Sequence, residues 1–181
     1  MYIIGAVQLV LGLLRRGHAV HVIRPRQAAD GRGRQPPAGE ILVPGLPIPG
    51  YRGLRLGLPV YWRLRQLWRR NRPDAVYVAT QGPLGHAALH AARTARIAVV
   101  TGFHTQFQQY SRYYGLGLLM RPIVNLLRNF HNRSDGTLVP TSALEHTLDE
   151  DGFRNVQVFS RGVPAFFNGK IEKNVAVHWS I

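Results

Sequence analysis

The stretch DAVYVATQGPLGHAALHAARTARIAVVTG, residues Asp74–Gly102, carries a strand, a helix and a second strand in succession. Its two ends, Asp74–Ala79 and Ile97–Gly102, are short apolar runs rich in β-branched residues and bounded by turn residues. The segment between them, Leu84–Ala95, has a helical pattern. Near-continuous apolar strands separated by a helix are typical of a parallel sheet that is covered on both faces.

The same alternation continues on both sides of this stretch. Three further strands are predicted at His18–Ile23, Gly136–Pro140 and Val156–Ser160. Two further helices are predicted, one from about Gln106 to Arg133 and one over Ser142–Gly152. The sequence therefore predicts an α/β fold with a Rossmann-like, doubly wound parallel sheet.

Two segments fall outside this alternation. The apolar run Met1–Leu14 is shorter than the roughly 20 residues that a membrane-spanning helix needs, so it is predicted as a core helix. Gly17 is placed to end this helix in a left-handed conformation. Asp30–Pro59 is rich in Gly, Pro and Arg, and we expect little regular structure there apart from a short strand around Ile41–Val43.

The composition of the 181-residue chain narrows its chemistry. The absence of cysteine excludes a disulfide framework, a thiol nucleophile and cysteine-based zinc sites. Lysine and arginine number 23 against 9 acidic residues, which gives a formal net charge of +14. Such a field attracts nucleic acid, phospholipid head groups or a phosphorylated ligand, although an arginine-favouring genome gives the same composition.

The segment YWRLRQLWRRNR, Tyr61–Arg72, has two rows of residues at helical spacing. The apolar row consists of Tyr61, Leu64, Leu67 and Trp68. The basic row consists of Arg65, Arg69 and Arg72, and Trp62 lies beside it. A helix that docks its apolar row on the sheet explains the pattern, and a peripheral membrane surface formed by the basic row is compatible with it.

Residues that directly follow the strands are candidates for a binding site, because ligands of open α/β sheets bind at the carboxyl ends of the strands. Polar residues follow three strands, in the loops Thr80–Gly82, Phe103–Gln106 and Thr141–Ser142. Each loop precedes a predicted helix N-terminus, whose free N–H groups favour anions and hydroxyls. For Thr141 and Ser142 a helix N-cap is favoured over a ligand contact.

His104 is the histidine that combines a strand end with polar neighbours, Thr105 and Gln106. For most of the other histidines, packing or solvation is the default interpretation. His86 and His90 are four residues apart, a spacing that metals can use, but no acidic neighbour completes a zinc motif. No metal site is predicted.

Five segments occur in the order and spacing of a known family: LLRRGHAVHVIRP, PDAVYVATQGPLG, VVTGFHTQFQQYSRYYG, TLVPTSAL and FRNVQVFSRGV. Together they resemble the N-terminal half of family 4 retaining glycosyltransferases, which have the GT-B fold. The resemblance covers Leu9–Val163 and is strongest to bacterial GDP-mannose-dependent α-mannosyltransferases and related lipid-glycosylating enzymes. It implies an acceptor-side domain at residues 1–163, a divergent tail at 164–181 and a nucleotide-sugar domain that is absent from this sequence.

The resemblance also implies roles for site residues. In the family, the histidine that matches His104 approaches the donor sugar in the cleft between the domains and positions it. A neutral imidazole offers one donor and one acceptor, which suits fixing a hydroxyl while the leaving diphosphate carries developing charge. The other predicted substrate contacts are Thr80, Gln81, Gly82, Phe103, Thr105, Gln106, Tyr110, Thr141 and Arg161.

The chain also departs from the family. The strand and glycine-bearing loop that normally precede the first helix are missing, which predicts a sheet with unpaired backbone at its centre. Position 81 is Gln81, whereas close relatives often have glutamate there. The only lysines are Lys170 and Lys173, and the residues after Val163 do not follow the family pattern. We therefore expect a fragment that arises from a frameshifted or truncated reading frame.

The predicted function is that of a hexosyltransferase fragment that is inactive alone. Its parent enzyme transfers mannose or glucose from a nucleotide-diphosphate sugar, GDP-mannose or UDP-glucose, to a lipid or glycolipid, and needs no further cofactor. The expected location is cytoplasmic and peripheral on the inner face of the membrane. The alternative is a noncatalytic basic module that binds anionic membrane or nucleic acid. Nucleic acid is the less favoured of these two partners, because the sequence has no RNP motif, zinc finger or basic zipper.

Overall fold

The computed structural model describes residues 3–31, 39–50, 54–103, 117–159 and 174–178. Its helices are α1 (Ile3–Arg15), α2 (Tyr61–Arg70), α3 (Pro83–Thr94), α4 (Gly117–His131) and α5 (Ser142–Glu150). Its strands are β1 (Ala19–Pro25), β2 (Glu40–Val43), β3 (Gly45–Pro47), β4 (Arg55–Gly57), β5 (Ala75–Val78), β6 (Ala98–Gly102), β7 (Gly136–Val139), β8 (Val156–Val158) and β9 (Asn174–His178). Each predicted strand and helix is found with its ends shifted by two residues at most, except that the first part of the helix predicted from Gln106 lies outside the described residues.

Seven strands form one sheet in the order β2-β1-β9-β5-β6-β7-β8. Every neighbouring pair in this sheet is parallel. Helices connect β5 to β6, β6 to β7 and β7 to β8, which is the connection that parallel strands require. The structure therefore confirms the predicted α/β fold with a parallel sheet.

Both faces of the sheet are covered. Val76 and Val78 of β5 lie in a hydrophobic core that α2 and α3 complete. Ala75 and Tyr77 lie in a second core, which Leu9 of α1 helps to form. Because successive side chains of a strand point to opposite faces, one apolar strand serves both cores, and this confirms the doubly wound arrangement. Burial in the second core raises the pKa of the Tyr77 hydroxyl.

The first helix is a core helix, as predicted. Leu9 and Leu13 are almost completely buried. Gly17 follows the helix with φ +81°, a conformation that glycine adopts at little cost. The N–H groups of Gly17 and His18 donate to the carbonyls of Leu14 and Leu13 at 3.0 and 3.1 Å, which satisfies the last carbonyls of the helix.

The centre of the sheet differs from the prediction. No strand precedes α1 among the described residues, yet the interior position beside β1 is filled, because β9 lies between β1 and β5. It pairs with β1 from Asn174 opposite Ala19 to His178 opposite Ile23, and with β5 on its other side. The expectation of unpaired backbone at the sheet centre is therefore wrong: residues 174–178 of the predicted tail belong to the sheet. The domain boundary at residue 163 stays a prediction.

The excursion Asp30–Pro59 holds more regular structure than predicted. β2 confirms the short strand at Ile41–Val43 and pairs with β1 at the edge of the sheet. β3 and β4 form an antiparallel pair with Leu46 opposite Leu56, which the sequence analysis missed. Gly57 of β4 packs so closely on α3 that a Cβ there would lie 2.6 Å from Cδ2 of Leu84. The end of this segment therefore packs against the first turn of α3.

Candidate functional site

Predicted site loops follow three neighbouring strands. Thr80–Gly82 follows β5, Phe103 follows β6, and Thr141 comes shortly after β7. The strands are in register, with Val78 opposite Thr101 and Gly102 opposite Leu138, so they end at one edge of the sheet. The structure brings these residues to that carboxyl edge. The other predicted site residues lie outside the described residues: His104, Thr105, Gln106, Tyr110 and Arg161.

Backbone contacts hold the Thr80–Gly82 loop against α3. Gly82 is the N-cap of α3, and its carbonyl accepts the N–H of His86 at 3.0 Å and lies 3.2 Å from His86 Nδ1. Gly85 approaches the loop so closely that a Cβ on it would lie 2.0 Å from the Thr80 carbonyl oxygen. The conformation of the loop is therefore tied to the glycine at position 85. Thr80, Gln81 and Gly82 are half-buried, and their substrate contacts stay predictions.

Phe103 has a structural position in the core. Its side chain is fully buried in a cluster with Val139, Leu148 and Phe153. Its N–H donates to the carbonyl of Leu138 at 2.8 Å, which continues the pairing of β6 with β7. Phe103 thus anchors the chain at the residue before His104. A substrate contact of Phe103 stays a prediction, and in this conformation its ring is covered.

A buried polar cluster lies next to Phe103, and we define it as Thr101, His131, Ser134 and Thr137. The Thr101 hydroxyl lies 2.8 Å from His131 Nδ1, 3.1 Å from the Ser134 hydroxyl and 3.2 Å from the Thr137 hydroxyl. The His131 ring centroid is 5.0 Å from that of Phe103. The cluster joins β6, β7 and the end of α4, so it fixes the last residues of β6.

Removing one member of such a cluster is costly, because a buried group that was bonded to it loses a partner. The penalty for one unsatisfied buried group is about 1–3 kcal/mol. The sequence analysis missed the cluster, because packing or solvation was its default interpretation for most histidines other than His104. The sequence holds one signal for the cluster, a threonine in each of two consecutive predicted strands. In the structure these two residues, Thr101 and Thr137, lie directly opposite each other.

Thr141 has the N-cap geometry that the sequence favoured. Its backbone is extended (φ −144°, ψ 152°), and its hydroxyl accepts the N–H of Leu144 at 3.3 Å. This interaction satisfies one of the free donors at the start of α5. The side chain is exposed at the carboxyl edge of the sheet, and its contact with a substrate stays a prediction.

The predicted basic helix is α2, and its apolar row docks on the sheet. Leu64 and Trp68 are buried in the core shared with α3. Trp62 projects from the helix with 80% of its surface exposed. Arg69 is exposed, and Arg65 Nη1 lies 3.5 Å from the Tyr61 hydroxyl.

Two interactions of this region were not predicted. The guanidinium of Arg72 donates to the carbonyls of Ala95 and Arg96, both at 2.8 Å, and so caps the chain after α3. The Tyr61 hydroxyl donates a hydrogen bond to the Thr94 hydroxyl. This hydrogen bond, together with the neighbouring Arg65, lowers the pKa of Tyr61. Arg72 therefore has a structural partner, and the membrane role of the basic row stays a prediction.

An ion-pair group at the end of β1 was not predicted either. The two Nη atoms of Arg24 contact the two carboxylate oxygens of Asp30 at 2.7 and 2.8 Å. Arg24 also contacts Glu40 of β2 at 2.9 and 3.1 Å. The Arg24 guanidinium lowers the pKa of Asp30 from 3.8 to about 2, and the two carboxylates raise the pKa of Arg24. This group ties the 3-10 turn at Ala28–Asp30 to the sheet edge.

Two absences among the described residues bear on function. None of the described helices is both long enough and apolar enough to cross a membrane. In the same part of the chain, no group of three or more His, Asp or Glu side chains lies close enough together to hold a metal ion.

Comparison with known proteins identifies relatives of this chain. The family model described as Glycosyltransferase Family 4 matches residues 4–165. A GDP-mannose-dependent alpha-mannosyltransferase of Mycolicibacterium smegmatis is 34% identical over 158 residues, which cover 83% of this chain and 41% of the relative. An alpha-monoglucosyldiacylglycerol synthase of Streptococcus pneumoniae is 25% identical over 68% of this chain and 28% of the relative.

A plant protein is similar as well. The sulfoquinovosyl transferase SQD2 of Arabidopsis thaliana is 26% identical over 73% of this chain and 29% of its own length. The chain thus matches about two-fifths of the mannosyltransferase relative and less of the other two. Because the family match extends over most of its residues, the chain belongs to glycosyltransferase family 4.

Proposed function

We propose that this chain is the acceptor-side half of a retaining hexosyltransferase. The whole enzyme would transfer mannose or glucose from GDP-mannose or UDP-glucose to a lipid or glycolipid. Membership of family 4 supports this proposal, as do the names of the relatives, which include GDP-mannose-dependent mannosyltransferases and a glucosyldiacylglycerol synthase. The single observation that carries it is the family match over residues 4–165, which spans the three loops at the carboxyl edge of the sheet.

The roles we propose follow from the chemistry of this edge. The Thr80–Gly82 loop stands at the N-terminus of α3, where peptide N–H groups and the helix dipole suit hydroxyl or phosphate oxygens. Phe103 and the buried polar cluster hold the end of β6, which carries His104 as the next residue after Phe103. His104 would donate to or accept from a hydroxyl of the donor sugar, while charge that develops on the sugar is balanced by the leaving diphosphate.

We further propose that this chain alone transfers no sugar. In a two-domain enzyme of this family, the groups that stabilise the leaving diphosphate belong to the other half, and this chain matches about two-fifths of its mannosyltransferase relative. Purified protein incubated with radiolabelled GDP-mannose or UDP-glucose and mixed bacterial lipids is expected to give no labelled glycolipid. Reproducible turnover, abolished by His104→Ala, would show that the chain is an enzyme in its own right and would overturn this part of the proposal.

Membrane attachment through α2 is the second part of the proposal, with a location on the cytoplasmic face. The exposed Trp62 ring suits the interface between head groups and acyl chains, and Arg65 and Arg69 lie on the same helix. Each arginine near an anionic surface contributes about 1 kcal/mol, an attraction that salt weakens. Arg72 contributes charge as well, although its guanidinium is engaged by backbone carbonyls.

Vesicle sedimentation tests this attachment. Binding to anionic vesicles is expected to fall with added salt and to fall strongly in the Arg65→Glu/Arg69→Glu variant. The matched control is Arg133→Glu/Arg154→Glu, which changes the charge equally at two exposed arginines outside α2. Equal loss in both variants would mean that net charge, and not α2, drives binding. Binding to neutral vesicles at the same strength would exclude the electrostatic mechanism.

The alternative function is a noncatalytic basic module. The observation that favours it is the net charge of +14, which by itself attracts any polyanion. Such a module would bind anionic vesicles or nucleic acid and would gain no activity when a nucleotide-sugar domain is supplied. Joining the chain to a nucleotide-sugar domain therefore separates the two functions, because only the glycosyltransferase half would gain activity.

A further inference from the structure

A pocket lies between α2 and the edge of the sheet that β1 and β2 form. It has a volume of about 350 Å³ when its open mouth is included, which is at the lower end of the range for ligand pockets. Its lining includes His21, Ile23, Ile41, Leu67, Trp68 and Asn71. None of these residues belongs to the three loops of the candidate site, so the pocket is a separate feature of the molecule.

The deep part of the pocket is apolar. Ile23 and Trp68 are almost completely buried, with 1% and 4% of their surfaces exposed, and they form the floor. Ile41 of the edge strand β2 and Leu67 of α2 are half-buried and form the walls. An alkyl chain placed there exchanges water for an apolar surface, and each buried methylene group strengthens binding roughly fourfold.

The mouth of the pocket is polar. Asn71 is exposed, and its side-chain nitrogen lies 3.5 Å from Nε2 of His21, which is half-buried. A contact of that length is weak, so both side chains can turn toward an oxygen of a ligand. The mouth therefore offers hydrogen bonds, whereas the floor offers apolar contacts.

Two arginines of α2 stand beside the pocket. Arg63 precedes Leu67 by four residues and Arg70 follows it by three, and residues at these spacings share one side of a helix. Both arginines are exposed. Arg65 lies on the other flank of α2, because its guanidinium is 3.5 Å from the hydroxyl of Tyr61, which contacts α3. The flank of α2 beside the pocket is therefore positively charged, which favours an anionic ligand.

We infer that this pocket binds a single acyl chain of an anionic lipid. The chain lies on the apolar floor, and the oxygens of its head group accept hydrogen bonds at the mouth. The carboxylate of Glu40, next to Ile41, does not oppose this charge, because Arg24 pairs with it at 2.9 Å. The inference rests on the shape and charge of the pocket and is independent of the proposed sugar transfer.

Calorimetric titration with dodecyl phosphate, below the concentration at which it forms micelles, tests the inference. We expect one molecule to bind per chain, and inorganic phosphate to show no binding under the same conditions, because it cannot use the floor. Ile41→Phe fills part of the pocket and should weaken binding about tenfold or more, since it displaces two or more methylene groups. Arg70→Gln should weaken binding about two- to fivefold, as the loss of an exposed ion pair does. The matched control is Arg133→Gln, which removes the same charge at an exposed position outside α2 and should have little effect.

Fluorescence quenching locates the bound chain. In the Trp62→Phe/Trp179→Phe variant, Trp68 is the only tryptophan left. An undecanoate with bromine at the end of its chain quenches a tryptophan that it contacts. We expect it to quench Trp68, and to lose this effect when Ile41→Phe is added.

Melting temperatures measured without a probe show whether each variant is folded. If Ile41→Phe is not folded, the comparison of Arg70→Gln with Arg133→Gln decides the question. Equal weakening of dodecyl phosphate binding by these two variants would overturn the inference. Several molecules bound per chain with the same affinity in every variant, or an unquenched Trp68 at saturation, would overturn it as well.

Discussion

Replacing Gly85 by alanine should displace the Thr80–Gly82 loop and destabilise the protein. The new Cβ would lie 2.0 Å from the Thr80 carbonyl oxygen. Real Cβ atoms are essentially never found within 3.0 Å of such a neighbouring heavy atom, so the loop and the helix must separate by about 1 Å. The obstacle is backbone, which cannot rotate away as the end of a flexible side chain can. Overpacking of this kind costs about 1–3 kcal/mol, and we expect the upper part of that range.

Thermal unfolding measures this cost. For a domain of this size each kcal/mol lowers the melting temperature by roughly 2–4 °C, so Gly85→Ala is expected to lower it by about 6–12 °C. The control is Gly136→Ala on β7, where the nearest atom to a new Cβ is the Asn155 carbonyl oxygen at 3.8 Å. That variant should be as stable as the unmodified protein or slightly more stable, since alanine restricts the unfolded chain. An unchanged melting temperature for Gly85→Ala, or equal losses in both variants, would refute the reasoning.

Three further predictions concern interactions that the structure adds to the sequence analysis. Thr101→Val removes the hydroxyl at the centre of the buried polar cluster and should lower the free energy of unfolding by about 1–3 kcal/mol in urea titrations, whereas Thr101→Ser, which keeps the hydroxyl, should lose less. The pKa of Asp30 is about 2 in the folded protein against 3.8 for the free group, so its ion pair stabilises the fold above pH 4. This stabilisation is about 1 kcal/mol after solvent screening, and it is lost as pH falls from 4 to 2. Asp30→Asn should remove that part of the acid dependence, and an unchanged pH profile would contradict the assignment. Arg72→Ala should cost about 1–2 kcal/mol because two backbone carbonyls lose a donor, whereas Arg69→Ala, at an exposed position of α2, should change the melting temperature little; equal effects would exclude the capping role of Arg72.

Local patterns were enough to predict most of the sheet. β5, α3 and β6 follow from one stretch because their apolar runs and helical pattern lie within thirty residues, and the strands are buried on both faces. Gly17 and Thr141 were predicted as helix ends because capping depends on neighbouring residues.

Long-range partners account for what sequence patterns missed. β9 pairs with strands that precede it by about one hundred residues or more, and nothing local marks it as an interior strand. Arg24 finds its carboxylates six and sixteen residues away, across a turn and a strand pair. β3 and β4 are three residues each and rich in Gly, Pro and Arg, which resembles a loop in sequence. The loops of the candidate site could be chosen from strand ends, but the close approach of Gly85 to Thr80 depends on three-dimensional packing.

Sugar transfer by a completed enzyme tests the central claim most directly. This chain is joined to the C-terminal half of the Mycolicibacterium smegmatis mannosyltransferase relative and incubated with radiolabelled GDP-mannose and bacterial lipids. The relative's own two halves, joined in the same way, serve as the control for the junction. We expect labelled glycolipid, with turnover reduced roughly ten- to a thousandfold in His104→Ala at unchanged melting temperature, the loss of one or two strong hydrogen bonds in the transition state. A folded joined protein that gives no product while the control is active, or full turnover in a destabilised His104→Ala variant, would contradict the account.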